Sequence, residues 1–206
     1  MNGGFQLRGM PDSSVTHADV ARAAYVPETL PEGMEPGLEA TAFYDPDDFV
    51  WPFGAHAAVV DVDVETGKVT LLRYVAVDDC GPVINPLLVE GQVHGGIAHG
   101  VGQALYEQIV YTRDGQLATG TFVSYGLPTA AELPSFETDR TETPSPVNDL
   151  GIKGVGEAGA IGSTPTLVNA VVDALRPLGV RSIDLPLTPM RVWQALQDAK
   201  RGEAAA

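Results

Sequence analysis

The chain is poor in cysteine, in positive charge and in aromatic residues. One cysteine, Cys80, among 206 residues leaves no partner for an internal disulfide and excludes a cysteine-built structural zinc site. Twelve Lys and Arg against 27 Asp and Glu give a net charge of −15. Phosphate backbones and anionic membrane surfaces repel such a chain, so a nucleic-acid partner is not expected. No uninterrupted apolar run approaches the length of a membrane-crossing helix, so no membrane span is expected. The N-terminal MNGGFQLRGMPDSS has no basic stretch followed by an apolar one, so no signal peptide is expected and the expected compartment is the cytoplasm.

A core is affordable. Hydrophobic residues make up 44% of the chain and charged residues 19%, which excludes general disorder, and the length suits one domain or at most two small ones. With 23 Gly and 16 Pro, many turns and a low helix fraction are expected. Residues 1–36 read as a lead-in in which Thr16 caps a short helix through Ala24. Residues 37–199 read as the folded domain and 200–206 as a disordered tail.

Within the domain, Leu38 to Tyr44 reads as a strand. Ala57 to Val64 alternates, with Val60, Val62 and Val64 on one face and Asp61 and Asp63 on the other. The ETGK turn then leads into VTLLRYVAV, giving a hairpin. Asp61 and Asp63 lack the spacing of a calcium loop and read as a solvated strand face. Asn85 to Glu107 reads as a helix, packing through Val93, Ile97, Gly100 and Ala104, with Gln92, Gly96, His99 and Gln103 on another face. Its glycines, at 91, 95, 96, 100 and 102, each cost about 1 kcal/mol relative to alanine, so another helix or a ligand is expected to approach this backbone closely.

Gln108–Thr112 and Thr121–Tyr125 are expected as strands, and Leu133 to Asn148 as an extended surface connection. Thr164 and Pro165 are expected to open a helix, Val180–Ile183 to form a short strand, and Thr188 with Pro189 to start the last helix. Hairpins interspersed with helices argue an α+β fold with a mixed sheet and packed helices.

Three constellations invite chemistry. The first is KGVGEAGAIG, whose glycines do not lie in the strand–loop–helix frame of a phosphate-binding loop. Glu157 stands in it between Gly156 and Ala158-Gly159. A carboxylate with such small neighbours can enter a narrow cleft, where burial favours its protonated form and suits it to acid–base work. The alternative is a glycine-shaped turn with Glu157 pointing into water. The second is the polar stripe Gln92–His99–Gln103, which needs hydrogen-bonding partners from a cofactor or from neighbouring backbone. His94 and His99 are five apart and do not make a two-histidine metal site on one helix face, so no metal-ligating residue is assigned. The third is Cys80 beside Asp78 and Asp79, whose charges disfavour a thiolate and point to packing or ligand lining.

Taken together, VDDCGPVINPLLVEGQVHGGIAHGVGQALYE and LPSFETDRTETPSPVNDLGIKGVGEAGAIGSTPTLVNAVVDAL resemble the C-terminal part of the molybdenum-binding large subunit of the xanthine oxidase/aldehyde oxidase family, most nearly its carbon monoxide dehydrogenase large-chain-like members. The resemblance runs from about Pro11 to Leu196. It implies that residues 37–199 are the C-terminal portion of a molybdopterin cofactor-binding domain. It also implies that Glu157 is the catalytic acid/base beside the molybdenum and that Gln92 contacts the pterin, with Gly156, Asp79 and Cys80 as further cofactor-binding candidates. The implied cofactor is molybdopterin, as the cytosine dinucleotide, with molybdenum held by the pterin and not by side chains. The implied reaction transfers water-derived oxygen to a small-molecule substrate, either carbon monoxide, an aldehyde, a purine or another N-heterocycle.

The family's large subunit is several times longer. Its first cofactor-binding portion and its cysteine-bearing active-site loop are not in this chain, and Cys80 stands in a different context. The implied partners are therefore the remaining part of the molybdenum subunit and subunits carrying iron–sulfur clusters and FAD. The alternatives are a non-catalytic remnant or binding module of the same family, and a nucleotide-binding protein using the 149–165 loop.

Overall fold

The computed structural model describes residues 3–10 and 12–202. They fall into two compact units divided between Asp45 and Pro46.

In the first unit, two three-residue strands, β1 (Gly4–Gln6) and β2 (Ser14–Thr16), pair antiparallel. Helix α1 (His17–Ala24) follows, ending where the sequence predicts. Thr16 accepts the Asp19 amide at 3.1 Å while the Asp19 carboxylate accepts from the Thr16 amide, a reciprocal capping box. Leu38–Tyr44, expected as a strand, runs without regular structure. Its pattern is apolar enough, but a strand needs a ladder partner, and none is offered to it among the described residues.

The second unit is built on a three-stranded sheet in the order β3 (Phe53–Val62), β4 (Val69–Asp79), β5 (Phe136–Thr141). The first pair is antiparallel and the second parallel, so the sheet is mixed and the fold α+β, as expected. The hairpin turn is held by Asp63, whose carboxylate accepts from the Glu65 and Thr66 amides. Asp63 and Val64 thus belong to the turn and not to the strand face. Gly67 is required twice: its φ is +75°, and a Cβ there would strike the Pro189 carbonyl.

A bulge at Leu72 decides which residues of β4 face inward. Val59 pairs with Arg73 but Val60 with Leu71, leaving Leu72 extra. Val69 and Leu71 are buried before the bulge; Tyr74, Ala76 and Asp78 take over the same face after it. Within Leu133 to Asn148, expected only as an extended surface connection, Phe136–Thr141 forms β5. Its composition (FETDRT) is polar because it is an edge strand, and only alternate residues, Phe136 and Thr138, turn inward.

Helices α2 (Pro86–Leu105), α3 (Ala158–Leu175) and α4 (Pro189–Arg201) complete the unit. Asn85 caps α2 and Thr188 caps α4, with proline in the first turn of each. Lys200 and Arg201 are helical, and residues 203–206 of the expected tail lie outside the described residues. The core joins Tyr74 and Ala76 of the sheet to Ile97 and Val101 of α2, Leu167, Val171 and Leu175 of α3, and Val192 and Leu196 of α4.

Three further expectations are corrected. Gln108–Thr112 and Thr121–Tyr125 form no strands: an isolated bridge, Tyr111 to Leu117, closes the Asp114-Gly115 turn, and Thr121–Tyr125 folds into a turn held by Thr121 and Ser124. Val180–Ile183 is irregular. Helix α3 starts at Ala158, not at Pro165, which lies inside it. The small residues before the proline let α3 pack against α2, and that contact outweighs the hydrogen bond the proline cannot make.

Candidate functional site

The glycines of α2 do two different jobs. A Cβ on Gly96 would stand 2.7 Å from the Ala160 amide nitrogen, and one on Gly100 would overlap the Ser163 hydroxyl. On α3, a Cβ on Gly159 would strike the Val93 carbonyl. These positions form a seam along which the two helix backbones touch, a closeness that side chains would forbid. Gly91 and Gly95 are different: nothing lies within 4 Å of where their Cβ atoms would be. They face an open cleft of about 490 Å³, lined by Gly91, Gln92, Gly95, His99, Gly156 and Glu157 among others.

The seam thus brings Gln92 and Glu157 to one cleft although they are far apart in sequence. A Cβ on Gly156 would meet Gln92 Oε1 at 3.8 Å, an ordinary contact. Glu157 is the residue before α3; its carbonyl accepts the Ile161 amide at 2.9 Å, so it stands at the positive end of that helix. Its carboxylate is exposed and caps no backbone amide, so the enclosed cleft expected around it is not formed by this chain's described residues. Of the polar stripe on α2, Gln92 and His99 reach the cleft, whereas Gln103 accepts the Thr164 hydroxyl at 2.8 Å. His94 turns the other way, its ring edge-on to Phe136 and its Nε2 3.4 Å from the Thr138 hydroxyl.

Asp79 and Cys80 lie not in this cleft but at the end of β4. Asp79 is fully buried. Its Oδ1 accepts from Lys153 Nζ and from the Gly81 amide, both at 3.0 Å, and its Oδ2 accepts from the Thr141 hydroxyl at 3.0 Å. Burial alone would raise this carboxyl's pKa. Lys153, the Gly81 amide and Thr143 override it and hold the carboxyl well below the ordinary carboxylate range. Cys80 is buried too. Burial first, and the charges of Asp79 and Asp78 after it, push its thiol up, in line with the packing or lining role expected for it.

Asp78 points to the opposite face of the strand. His56 Nε2 lies 3.2 Å from its Oδ1, and His56 Nδ1 lies 2.8 Å from the Tyr74 hydroxyl. Gly54 and Gly162 make the room: a Cβ on either would overlap Asp78 or His56. Asp78 Oδ2 is buried without a hydrogen-bonding partner among the described residues. Sequence reasoning missed Lys153 and His56 and took Asp78 only as a charge beside Cys80. Lys153 left a faint signal as a lone cation in a glycine-rich segment, and His56 left none.

Among the described residues no group of three or more His, Cys, Asp and Glu side chains is arranged to hold a metal ion, and no helix is long and apolar enough to cross a membrane. Residues 1–134 match the family model of the molybdopterin cofactor-binding domain. The chain is 45% identical over 194 residues to the carbon monoxide dehydrogenase large chain of Hydrogenophaga pseudoflava, covering 94% of this chain and 24% of that protein. Among solved structures, it superposes on reconstituted CO dehydrogenase from Oligotropha carboxidovorans with a TM-score of 0.85 at 39% identity, over 97% of this chain and 25% of that one. On quinoline 2-oxidoreductase from Pseudomonas putida 86 the TM-score is 0.84 at 42% identity, over 95% of this chain and 25% of that one. The chain therefore spans about a quarter of the length of these relatives. With the α+β fold, these matches make the chain a member of the molybdopterin cofactor-binding domain family, similar over most of its length to part of carbon monoxide dehydrogenase large chains.

Proposed function

We propose that this chain supplies one wall of the molybdenum-cofactor site of a molybdenum hydroxylase. In this reading Glu157 is the acid/base serving transfer of water-derived oxygen, and Gln92 and Gly156 lie beside the cofactor. The observation that carries it is the shared cleft, in which Gln92 and Glu157 meet over a floor of glycine backbone. The open space above Gly91 and Gly95 suits a flat polar ligand that approaches the helix closely. The lining fits as well: an amide, an imidazole and a carboxylate can hydrogen-bond the donor and acceptor edges of a pterin. When bound, molybdopterin, proposed here as the cytosine dinucleotide, supplies the redox-active metal centre.

The chain's own residues then have separate tasks. The Gln92 carboxamide, both donor and acceptor, orients the ligand. Gly156 keeps the approach to Glu157 free of side-chain bulk. The Glu157 carboxylate takes or returns a proton at the reacting end of the cleft. Asp79 and Cys80, buried at the end of β4 outside this cleft, are assigned no contact within it. Since Glu157 is exposed here, the exclusion of water that strengthens such a base is assigned to the remaining part of the molybdenum subunit. Electron transfer away from the site is assigned to partner subunits with iron–sulfur clusters and FAD, in the cytoplasm, and the substrate is a small molecule.

The test is co-production with a chain that carries the upstream part of the subunit, followed by molybdenum analysis and a dye-reduction assay. The wild-type assembly is expected to hold metal and turn over, and Glu157→Gln to keep the metal while losing about 10²-fold or more in kcat. Full turnover by a metal-loaded Glu157→Gln assembly refutes the acid/base role. A metal-free wild-type assembly favours a non-catalytic binding module.

A further inference from the structure

We propose that the buried Lys153–Asp79 ion pair is the fastener that sets Glu157 in its cleft, with both residues acting as positioning residues. The proposal rests on the reading of Glu157 as the acid/base, and it gives Asp79 a task that needs no contact with the cofactor.

The segment from Glu142 to Glu157 has no regular secondary structure, yet it must deliver Glu157 to a fixed place. Its early part is tied down repeatedly: Ser145 donates to the Gly151 carbonyl, Gly151 to the Asn148 carbonyl, and Asn148 and Ile152 bond each other twice. The last ties to the sheet are both at Lys153. Its amide donates to the Cys80 carbonyl at 2.8 Å and its ammonium to Asp79 Oδ1 at 3.0 Å. Beyond it come Gly154, with nothing within 4 Å of a would-be Cβ, and then Val155, Gly156 and Glu157. Glu157 is thus held from two sides: the helix seam fixes α3 behind it and Val155 packs against the core before it. The flexible glycines on either side of Val155 leave Lys153 as the tie that sets how this stretch leaves the end of β4.

Lys153 is well suited to that role. Its side chain is 7% exposed and Asp79's is 0% exposed, with Nζ also 4.7 Å from the centre of the Phe53 ring. Lysine is rarely buried this deeply. A buried pair is a poor route to stability, because desolvation consumes most of its attraction, and its best-attested use is to select one register. Here the register is that of the glycine segment against the end of β4. Both Asp79 oxygens are engaged by protein donors, and the pair leaves the Glu157 carboxylate itself untouched.

The test compares Lys153→Met and the double variant Asp79→Asn/Lys153→Met with wild type. The double variant leaves no lone buried charge, so it keeps the fold even where the single one fails. Hydrogen exchange of this chain reads the segment directly: the bonded amides of Ile152, Lys153 and Ala158 are expected to exchange about tenfold faster, with those of β4 unchanged. In the metal-loaded assembly, kcat is expected to fall about tenfold at unchanged KM and unchanged molybdenum content. Native exchange at Ile152, Lys153 and Ala158, or equal loosening of β4, overturns the proposal, as does full kcat where Glu157→Gln is inactive. Full turnover by Glu157→Gln instead sinks the acid/base reading, and the exchange result then decides whether the fastener exists without it.

Discussion

Gly95 and Gly96 are neighbours on α2, and alanine at each is expected to act with opposite sign. In a helix interior alanine is favoured over glycine by about 1 kcal/mol. At Gly95 the new methyl meets open space, so the full gain should appear, raising Tm by about 2–4 °C in a chain of this size. At Gly96 the methyl would stand 2.7 Å from the Ala160 nitrogen, 2.9 Å from Gly159 Cα and 3.0 Å from Gly159 C, all backbone atoms that cannot swing aside. Carbon contacts relax at about 3.5–4.0 Å, so α2 and α3 must part, and overpacking of this kind costs about 1–3 kcal/mol. The propensity gain is common to both variants and cancels between them, so Gly96→Ala is expected to be about 1–3 kcal/mol less stable than Gly95→Ala. Urea denaturation of the two variants measures the difference. Equal stability, or a more stable Gly96→Ala, refutes the helix seam. The same pair bears on function: Gly95→Ala places its methyl in the cleft, so in the proposed assembly it should lower molybdenum loading while stabilising the chain.

Two further expectations concern the end of β4. Cys80 should react slowly with a thiol reagent at neutral pH and at the normal rate once the chain is unfolded in urea, because burial both shields the thiol and disfavours its thiolate; fast labelling of the native chain would contradict this. The folded-state pKa of Asp79 is depressed, so its stabilising contribution is fully present above the unfolded carboxylate value of about 4 and is lost as pH falls from there towards the folded value. The stability gap between wild type and Asp79→Asn should therefore be constant from about pH 5 to 8 and shrink below about pH 4 in acid denaturation curves. A gap that closes on the alkaline side instead would show that Asp79 is not the group responsible.

Much was legible in the chain because it is local. The helix cap at Thr16, the hairpin turning at ETGK, the inward face of α2 and the start of α4 at Thr188 all follow from residues within a few positions of one another. The mixed α+β class followed from how those pieces alternate. The misreadings share a cause. Leu38–Tyr44 has a strand's pattern without a partner, FETDRT has a partner without the pattern, and Pro165 looks like a helix start because the packing of Gly159, Ala160 and Ser163 against α2 is invisible in one dimension.

The site divides in the same way. Composition and spacing singled out Glu157 and Gln92 as residues set among glycines, and the resembling blocks joined them to a cofactor. Their meeting in one cleft, the split of the α2 glycines between seam and floor, and the opposite faces taken by Asp78 and Asp79 depend on helix contact and strand register. The scarcity of cysteine and of positive charge excluded disulfides and polyanion partners from the sequence alone, since such limits need no geometry. How one of the few lysines is spent, buried against Asp79 at the foot of the Glu157 segment, was decided by the tertiary structure, because only folding brings those two charges within 3.0 Å.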